Sequence, residues 1–551
     1  MVMGESIASS VVPGHENGGP SRKRGRPRIG VIDEILEQRR LARQRTSASR
    51  PTNPVSQRFR VGVSVEDTTG KKSLTLFNKE AEQFVGVPVA KILQELGQTK
   101  MKVDILSKEL LKPYNSTKPS FQHYRISLVD ELCPTMNTPV ILYYPRNTRS
   151  CGTGDSTSHS SSNILKKALS KALTPFYPLA GRYMKDYYMV ECSDDGAYFV
   201  EATVDVELHD LLGRREYLKV DGLNCLLPYP IGASDEITDP LLAVQLSTFA
   251  CGGYAIAIMT SHRVADMSTT CTFIKQWATD SKRLLEGAEE DDHMSTSPSW
   301  NSALFFPGKK LSPIPFGIPR AKESVEDLDI ITKFLYFSKS DIIRIRDKAK
   351  LDSLSEKLPS KVQSVLGIIG KAIIDLSVAN PANPKRFMIA QALNMRERMH
   401  PPLPKDHCGN MFLFTSAESV ADEKGVELPI LVKQLSASVS RALEDCKTLL
   451  SLGDEGQMMI AHAFNNLTNR TISKPGHSIV CIFSDWTKFP FYETDFGWGL
   501  PIWVSASYIP LQNSAILISD KSGEGIEAWV NLNVGDLSKF QNDCNIMEFT
   551  S

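Results

Sequence analysis

The sequence predicts a mixed α/β body in two domains, preceded by a basic extension without stable structure. Three observations point there. Apolar strand-like runs and amphipathic helical stretches interleave through both halves of residues 101–551, as in layered α/β folds. A Pro- and Gly-rich stretch, FFPGKKLSPIPFGIPR at 305–320, reads as a connector between domains of similar size. Residues 20–60 carry twelve Lys and Arg against three Asp and Glu, with much Ser, Pro and Gln and few aromatics. Such a segment cannot bury enough apolar surface to offset the entropy of ordering. These changes place a disordered basic extension at 1–58, a short fragment at 59–100 and a first domain at 101–304. A crossover connector follows at 305–325 and a second domain at 326–551. Length alone would allow about three or four domains.

Bulk properties exclude several classes. With 41% hydrophobic and 23% charged residues and zero formal charge, the composition is that of a soluble globular protein. No run approaches the ~20 apolar residues that span a bilayer, so no membrane partner is expected. The start, MVMGESIASSVVPGHENGG, has neither the basic end nor the apolar middle of a secretory signal. The ten cysteines form no C-x-x-C pair and no metal-type cluster, which fits a reducing compartment without metal. A cytoplasmic location is expected, or a nuclear one if the basic segment is in use.

The extension carries a rival function class. RKRGRPR at 22–28 resembles an AT-hook core, whose arginines lie in a narrow minor groove. FRVGVSVEDTTGKKSLTLFNKEAEQFVGVPVAKIL at 59–93 alternates like two strands around a polar turn and then becomes helical. It resembles a fragment of the C-terminal OB-type domain of replication protein A relatives, which bind single strands. It is too short to close a five-stranded barrel and should fold poorly. The plainer reading is a solvated basic tail. A nucleic-acid protein working through residues 1–95 would show salt-dependent DNA binding that is lost on deleting them. At Met101 the character changes, and MKVDILSKELLKPYNSTKP reads like a natural protein start.

Within the body, NILKKALSKALTPFYPLAGR at 163–182 sets Ile164, Leu165, Ala168, Leu169, Ala172 and Leu173 on one helical face. Asn163 is the expected cap, and Pro175 and Pro178 stop the helix. GAYFVEATVDVEL at 196–208 alternates as a strand. GYAIAIMTS at 253–261 is too apolar for a surface strand and should lie centrally. After Asp266, Thr270, Phe273, Ile274, Trp277, Leu284 and Leu285 recur at helical spacing. LPILVKQLSASVSRALEDCKTLLSL at 428–452 reads as a long helix, and AILISDKSGEGIEAWVNL as a hairpin.

SHRVAD at 261–266 therefore lies in a tight loop between a buried strand and a helix. His262, at the strand's exposed end, is placed to reach into a cleft. Its unperturbed pKa of ~6.5 leaves it a free base at neutral pH. On this motif alone, a satisfied core histidine is the commoner explanation. Asp266 sits where the helix begins, so capping it or pairing with an arginine is the work expected of it. DFGWG at 495–499 contains a kinase-like triplet, but the Gly-rich loop, strand lysine and His-Arg-Asp loop of kinases are missing.

Four blocks in order, LTPFYPLAGR (173–182), SHRVAD (261–266), NMRERMHPPLPKDHCGN (394–410) and DFGWG (495–499), resemble the plant BAHD acyltransferases. The likeness runs from about Met101 to Ser551, closest to the branch that includes vinorine synthase. It implies the two-domain chloramphenicol acetyltransferase-like, coenzyme A-dependent acyltransferase fold, with mixed β-sheets and a channel at the domain interface. It also implies a monomer taking an acyl-coenzyme A, here acetyl-coenzyme A, and a small-molecule alcohol, with no permanently bound cofactor. Within this resemblance His262 is the general base, Asp266 supports the catalytic loop through a salt bridge, and Arg396 or Arg398 is its partner. Asp495, Phe496, Gly497 and Gly499 shape a structural loop, and Trp498 shapes the coenzyme side of the site. Asn394, Gly409 and Asn410 border the coenzyme cleft. Members of the branch mostly acetylate alkaloid or terpenoid hydroxyls; a bulkier aromatic or branched donor is the alternative. His-Cys-Gly-Asn-Met at 407–411 departs from the Tyr-Phe-Gly-Asn-Cys of flavonoid malonyltransferases, which disfavours malonyl. LGIIGKAII at 366–374 has Gly370 where the family has an aromatic, so unfilled volume, and a folded but inactive relative, are expected as an alternative.

Overall fold

Two six-stranded sheets frame the body, and residues from both line the cavity that holds the site. In the computed structural model the described residues are 101–146, 157–213, 220–287, 298–316, 318, 330–350, 358–378, 386–422, 425–470 and 478–550. The backbones of β1 (Arg60–Asp67) and β2 (Gly70–Phe77) are also described. The chain divides into two units, Met1–Thr99 and Lys100–Ser551. In the first, β1 and β2 form an antiparallel hairpin with Arg60 opposite Phe77 and Asp67 opposite Gly70. Those are the two strands the sequence predicts there. The helix expected after them, the basic extension and the AT-hook-like stretch lie outside the described residues.

In the second unit, the first sheet contains β3 (Val103–Leu111), β5 (Asn137–Tyr144), β8 (Ala197–Val204), β9 (Leu242–Phe249) and β10 (Tyr254–Ser261). A three-stranded sheet is made by β4 (His123–Arg125), β6 (Arg182–Met184) and β7 (Met189–Glu191). The other large sheet holds β11 (Ile330–Phe337), β12 (Arg386–Asn394), β13 (Phe412–Val420), β14 (Ile479–Asp485), β16 (Ser514–Ser519) and β17 (Ile526–Asn533). Its order is β11-β17-β16-β14-β12-β13, with β12, β14 and β16 parallel. The first sheet runs β15-β5-β10-β9-β8-β3, where β15 is Trp503–Ser505. The expected second domain, 326–551, thus gives three residues to the first sheet. Aromatic packing accounts for the exchange. Trp503 stacks on Tyr143 at 4.9 Å, and its indole N–H donates to Glu527 of β17 at 2.9 Å, so one side chain joins both sheets.

β10 is central, as its composition requires. It pairs with β5 on one side and β9 on the other, and all eight of its residues are buried. The helices needed here are α1 (Leu128–Leu132), α2 (Thr157–Leu173), α3 (Met267–Leu285), α4 (Lys361–Val378) and α5 (Leu428–Thr448). α2 begins six residues before the expected cap, so Asn163 lies inside the helix; the polar Thr157–Ser162 run extends the same turn-by-turn path. The predicted hairpin forms, with Ser519 opposite Ile526.

Gly370 lies inside α4, and the space beside it is full. A Cβ there would stand 2.9 Å from Ile389 Cδ1 and 3.6 Å from the ring of Phe483. The absent side chain lets α4 sit close on β12 and β14, so the expected unfilled volume does not exist.

Candidate active site

β10 ends at Ser261, and the chain turns at once. The His262 N–H donates to Met136 O at 2.8 Å, while the Val264 and Ala265 N–H groups return to Ser261 O at 3.1 and 3.2 Å. Arg263 goes into the protein. Its guanidinium donates to the carbonyls of Asp130, Glu131 and Cys133 at 3.2, 3.1 and 2.8 Å, satisfying the otherwise unpartnered C-terminal end of α1. It also lies over the Tyr183 ring at 5.0 Å. With Arg263 pinned, His262 faces the other way, into a cavity between the two large sheets.

The tautomer of His262 follows from its neighbours. Asn410, fully buried, donates through its amide nitrogen to Asp130 Oδ1 and to His262 O, both at 2.7 Å. The amide oxygen therefore faces His262 Nδ1, 3.0 Å away. An amide oxygen only accepts, so the proton sits on Nδ1 and the lone pair on Nε2. No partner of Nε2 occurs among the described residues. Burial pulls the imidazole below its ordinary pKa, against the charge of Asp266 and the Asn410 hydrogen bond, which raise it. The ring is thus a neutral base at physiological pH.

Asp130 supports this arrangement with both oxygens. Oδ2 accepts from the N–H and hydroxyl of Ser127, each at 2.7 Å, closing the N-terminus of α1 as a capping box. Oδ1 takes the Asn410 N–H at 2.9 Å as well as its amide. We expect Asn410→Ala to lower kcat on the order of 10²-fold, as removal of an orienting partner typically does. KM for the acyl donor should hardly change. The acidic limb of the pH–rate profile should move lower, because a bond that raises the imidazole pKa is gone; a purely structural defect would leave that limb in place.

Asp266 does both kinds of work anticipated for it. It is the N-cap of α3, accepting from the Thr269 N–H at 2.9 Å. It also forms a two-pronged pair with Arg396, at 2.8 and 3.0 Å. The remaining Arg396 donors reach His407 O, Gly409 O, Asn394 Oδ1 and Thr269 Oγ1. Burial alone would raise the Asp266 carboxyl, but the Arg396 charge and hydrogen bonds hold it below the usual range. Arg398 turns elsewhere, to the carbonyl of Asn394. Of the two expected partners, Arg396 is the one that pairs.

The coenzyme-side assignments divide. Asn394 lines the cavity. Gly409 and Asn410 are buried behind His262, with Gly409 O committed to Thr269 and Arg396. They order the base, the turn that carries them being drawn in by Arg396 and Asp130, and neither is among the residues lining this cavity. His407 beside them is also buried, and burial with the nearby Arg396 charge brings its pKa down to about 4. Both histidines have their pKa lowered in the folded chain and take protons below ~6.5 when unfolded. The unfolded state therefore binds more protons in that window, and stability falls on acidification. From His407 alone the loss between pH 7 and 5 is on the order of 2 kcal/mol, to be read as a lower urea midpoint at pH 5.

The 495–499 loop sits at the far end of α3. Asp495 Oδ1 accepts from the N–H groups of Gly497 and Gly499 at 2.8 and 2.9 Å, and Oδ2 from Lys282 at 3.0 Å. Gly497 holds φ at 107°, a backbone conformation strained for any residue with a Cβ, and a Cβ there would also press on Leu285. Phe496 packs edge-on against Trp277 at 4.8 Å, and Ser281 donates to Phe496 O at 2.8 Å. Ser281 is fifteen residues along α3 from Asp266, about 22 Å at 1.5 Å per residue. Trp498 belongs to this loop and packs on Phe496, Tyr144 and Tyr254. It is not among the residues that line the cavity beside His262.

The cavity holds about 1010 Å³ counted with the solvent at its mouth. Its wall combines Met136 just before β5 and Thr138 within it, His262 and Asp266, Asn394, Phe412 and Phe414, and residues 482–486 of β14 and the turn after it. Thr138 Oγ1 is buried and has no hydrogen-bond partner among the described residues. Asp130, Arg263, Thr138 and Asp485 were not singled out from sequence. A Ser127-x-x-Asp130 spacing does announce a capping box, but nothing local announces the second use of the carboxylate.

A profile of the Transferase family matches residues 101–547. A pelargonidin 3-O-(6-caffeoylglucoside) 5-O-(6-O-malonylglucoside) 4'''-malonyltransferase of Salvia splendens is 33% identical over 82% of this chain and all of its own length. Limonoid 1-O-acetyltransferase of Citrus sinensis is 29% identical over 82% of this chain and 99% of its own. Vinorine synthase of Rauvolfia serpentina is 32% identical over 77% of this chain and 93% of its own. The crystal structure of vinorine synthase superposes with a TM-score of 0.66 at 29% identity, covering 82% of this chain and 99% of that one.

Proposed function

The chain belongs to the BAHD family of acyl-coenzyme A-dependent acyltransferases, and from that premise we propose that it moves an acetyl group onto a hydroxyl of an alkaloid or terpenoid. The observation that carries this reading is the free Nε2 of a neutral His262, held toward the cavity by Asn410.

In the proposed reaction, donor and acceptor meet in the cavity. Nε2 takes the acceptor's hydroxyl proton as its oxygen attacks the thioester carbonyl. The tetrahedral oxyanion needs a hydrogen-bond donor, and the unpartnered Thr138 hydroxyl in the wall is available for it. Collapse expels the coenzyme thiolate, which recovers the proton from the imidazolium. No acyl-enzyme is needed. Cys271 and Cys408 are poor nucleophiles, since burial pushes both thiols up.

Similarity does not separate acetyl from malonyl donors, because the Salvia protein is a malonyltransferase. What supports acetyl is the wall: among the described residues lining the cavity there is no Lys or Arg to receive a second carboxylate. The test is coenzyme A release from acetyl-, malonyl- and benzoyl-coenzyme A with a panel of alkaloid and terpenoid alcohols. Turnover with acetyl-coenzyme A and at least one such alcohol is expected; malonyl transfer at a comparable kcat/KM would overturn the donor assignment.

A further inference from the structure

The cavity wall carries a charge that the acyl-transfer chemistry does not use. Of its two aspartates, Asp266 is neutralised by Arg396. Asp485, at the C-terminal end of β14, forms no ion pair among the described residues. Its Oδ1 accepts from the N–H and hydroxyl of Thr487 at 2.9 and 2.6 Å, an ordinary turn cap. That leaves Oδ2 without a partner among the described residues. The wall of this cavity is rich in aromatic rings: Trp486, next to Asp485 in the chain, and Phe489, Phe316, Phe412 and Phe414 line it too. Phe412 stands 5.7 Å from the His262 ring, and Phe412 and Phe414 meet edge-to-face at 5.5 Å.

A free carboxylate in an aromatic-walled cavity is the chemistry that recognises an organic ammonium. The ring quadrupoles attract a cation whose charge is spread over alkyl groups, and the carboxylate supplies the counter-charge. A neutral ligand gains neither the ion pair nor the cation–π attraction, and an anionic one is repelled. We propose that Asp485 and the surrounding rings form an ammonium subsite, so that the acceptor is an alcohol carrying a protonated or quaternary amine. The inference rests on reading this cavity as the acceptor's, and it narrows the acceptor from alkaloid or terpenoid to the amine-bearing class.

The test is a binding measurement without any acyl donor. Benzyltrimethylammonium and its carbon isostere, neopentylbenzene, have the same shape and differ by one charge. Quenching of tryptophan fluorescence reads their binding, with Trp486 in the wall. The cation is expected to bind at least about tenfold more tightly than the isostere. In Asp485→Asn, which keeps an Oδ1 acceptor for the turn, that preference should collapse while the isostere binds as before. Equal affinities in the natural chain would overturn the subsite. So would no cation binding at millimolar concentration, or an undiminished preference in Asp485→Asn. His262→Ala should keep the preference. Selective cation binding without acyl transfer to any alcohol would sink the proposed activity and leave the subsite standing. Efficient transfer to neutral alcohols without cation preference would do the reverse.

Discussion

His262→Ala should abolish measurable acyl transfer while leaving a folded protein. A positioned general base contributes about 10²- to 10⁴-fold, and water in the cavity replaces it poorly. The loss should fall on kcat. KM for acetyl-coenzyme A should stay within about threefold of the natural chain, because the imidazole adds to the transition state and little to ground-state binding. Folding should survive. Arg263 and the backbone bonds to Met136 and Ser261 anchor the turn without the ring, and the ring is only half-buried. In the natural chain the acidic limb of the rate profile should lie below ~6.5, since burial lowers the imidazole pKa. A variant retaining a tenth or more of the turnover would dismiss His262 as the base. A limb well above neutrality would point to another titrating group.

Local pattern made much of this protein legible. β10 could be placed because eight consecutive residues must all be buried, and that demand is written in their composition. The same holds for α3, whose apolar spacing faces α2 and Phe496. Asp266 could be read as a cap because an acid before a helix has a local reason to be there. Arg396 as its partner came from family resemblance, and sequence alone did not separate it from Arg398.

What stayed hidden depends on contacts between distant segments. The Asn410–Asp130 pair joins residues 280 apart, and no periodicity encodes it. β15 crosses to the first sheet through one tryptophan, a choice set by tertiary packing over a three-residue strand. Gly370 was misread for a similar reason: whether a glycine leaves a void depends on how near Ile389 and Phe483 approach, which its own helix does not record. That Gly409 and Asn410 pack behind the base was not legible either, because a sequence gives proximity along the chain and no direction.

Arg396→Met should be the most destabilising single change near the site, by about 3–5 kcal/mol, the usual result of stranding one charge of a buried pair. Arg396 is 1% exposed, and methionine fills much of its volume without replacing any donor. Asp266 would keep its Thr269 and Met411 hydrogen bonds but lose the cation that offsets its desolvation. The carbonyls of His407 and Gly409 would lose theirs. Arg398→Met should shift stability by less than about 0.5 kcal/mol, since its side chain is partly solvated and does not touch Asp266. The double change Asp266→Asn with Arg396→Met should recover part of the loss, because asparagine still caps α3 and no charge is left unpaired. Urea midpoints of the four proteins measure this. Turnover per folded molecule then separates support from catalysis. If Asp266 acts only by holding the loop, the double variant should keep a base whose acidic limb lies slightly lower, the Asp266 charge that raised it being gone. A pH-independent collapse of turnover, with stability restored, would instead place that carboxylate in the chemistry itself.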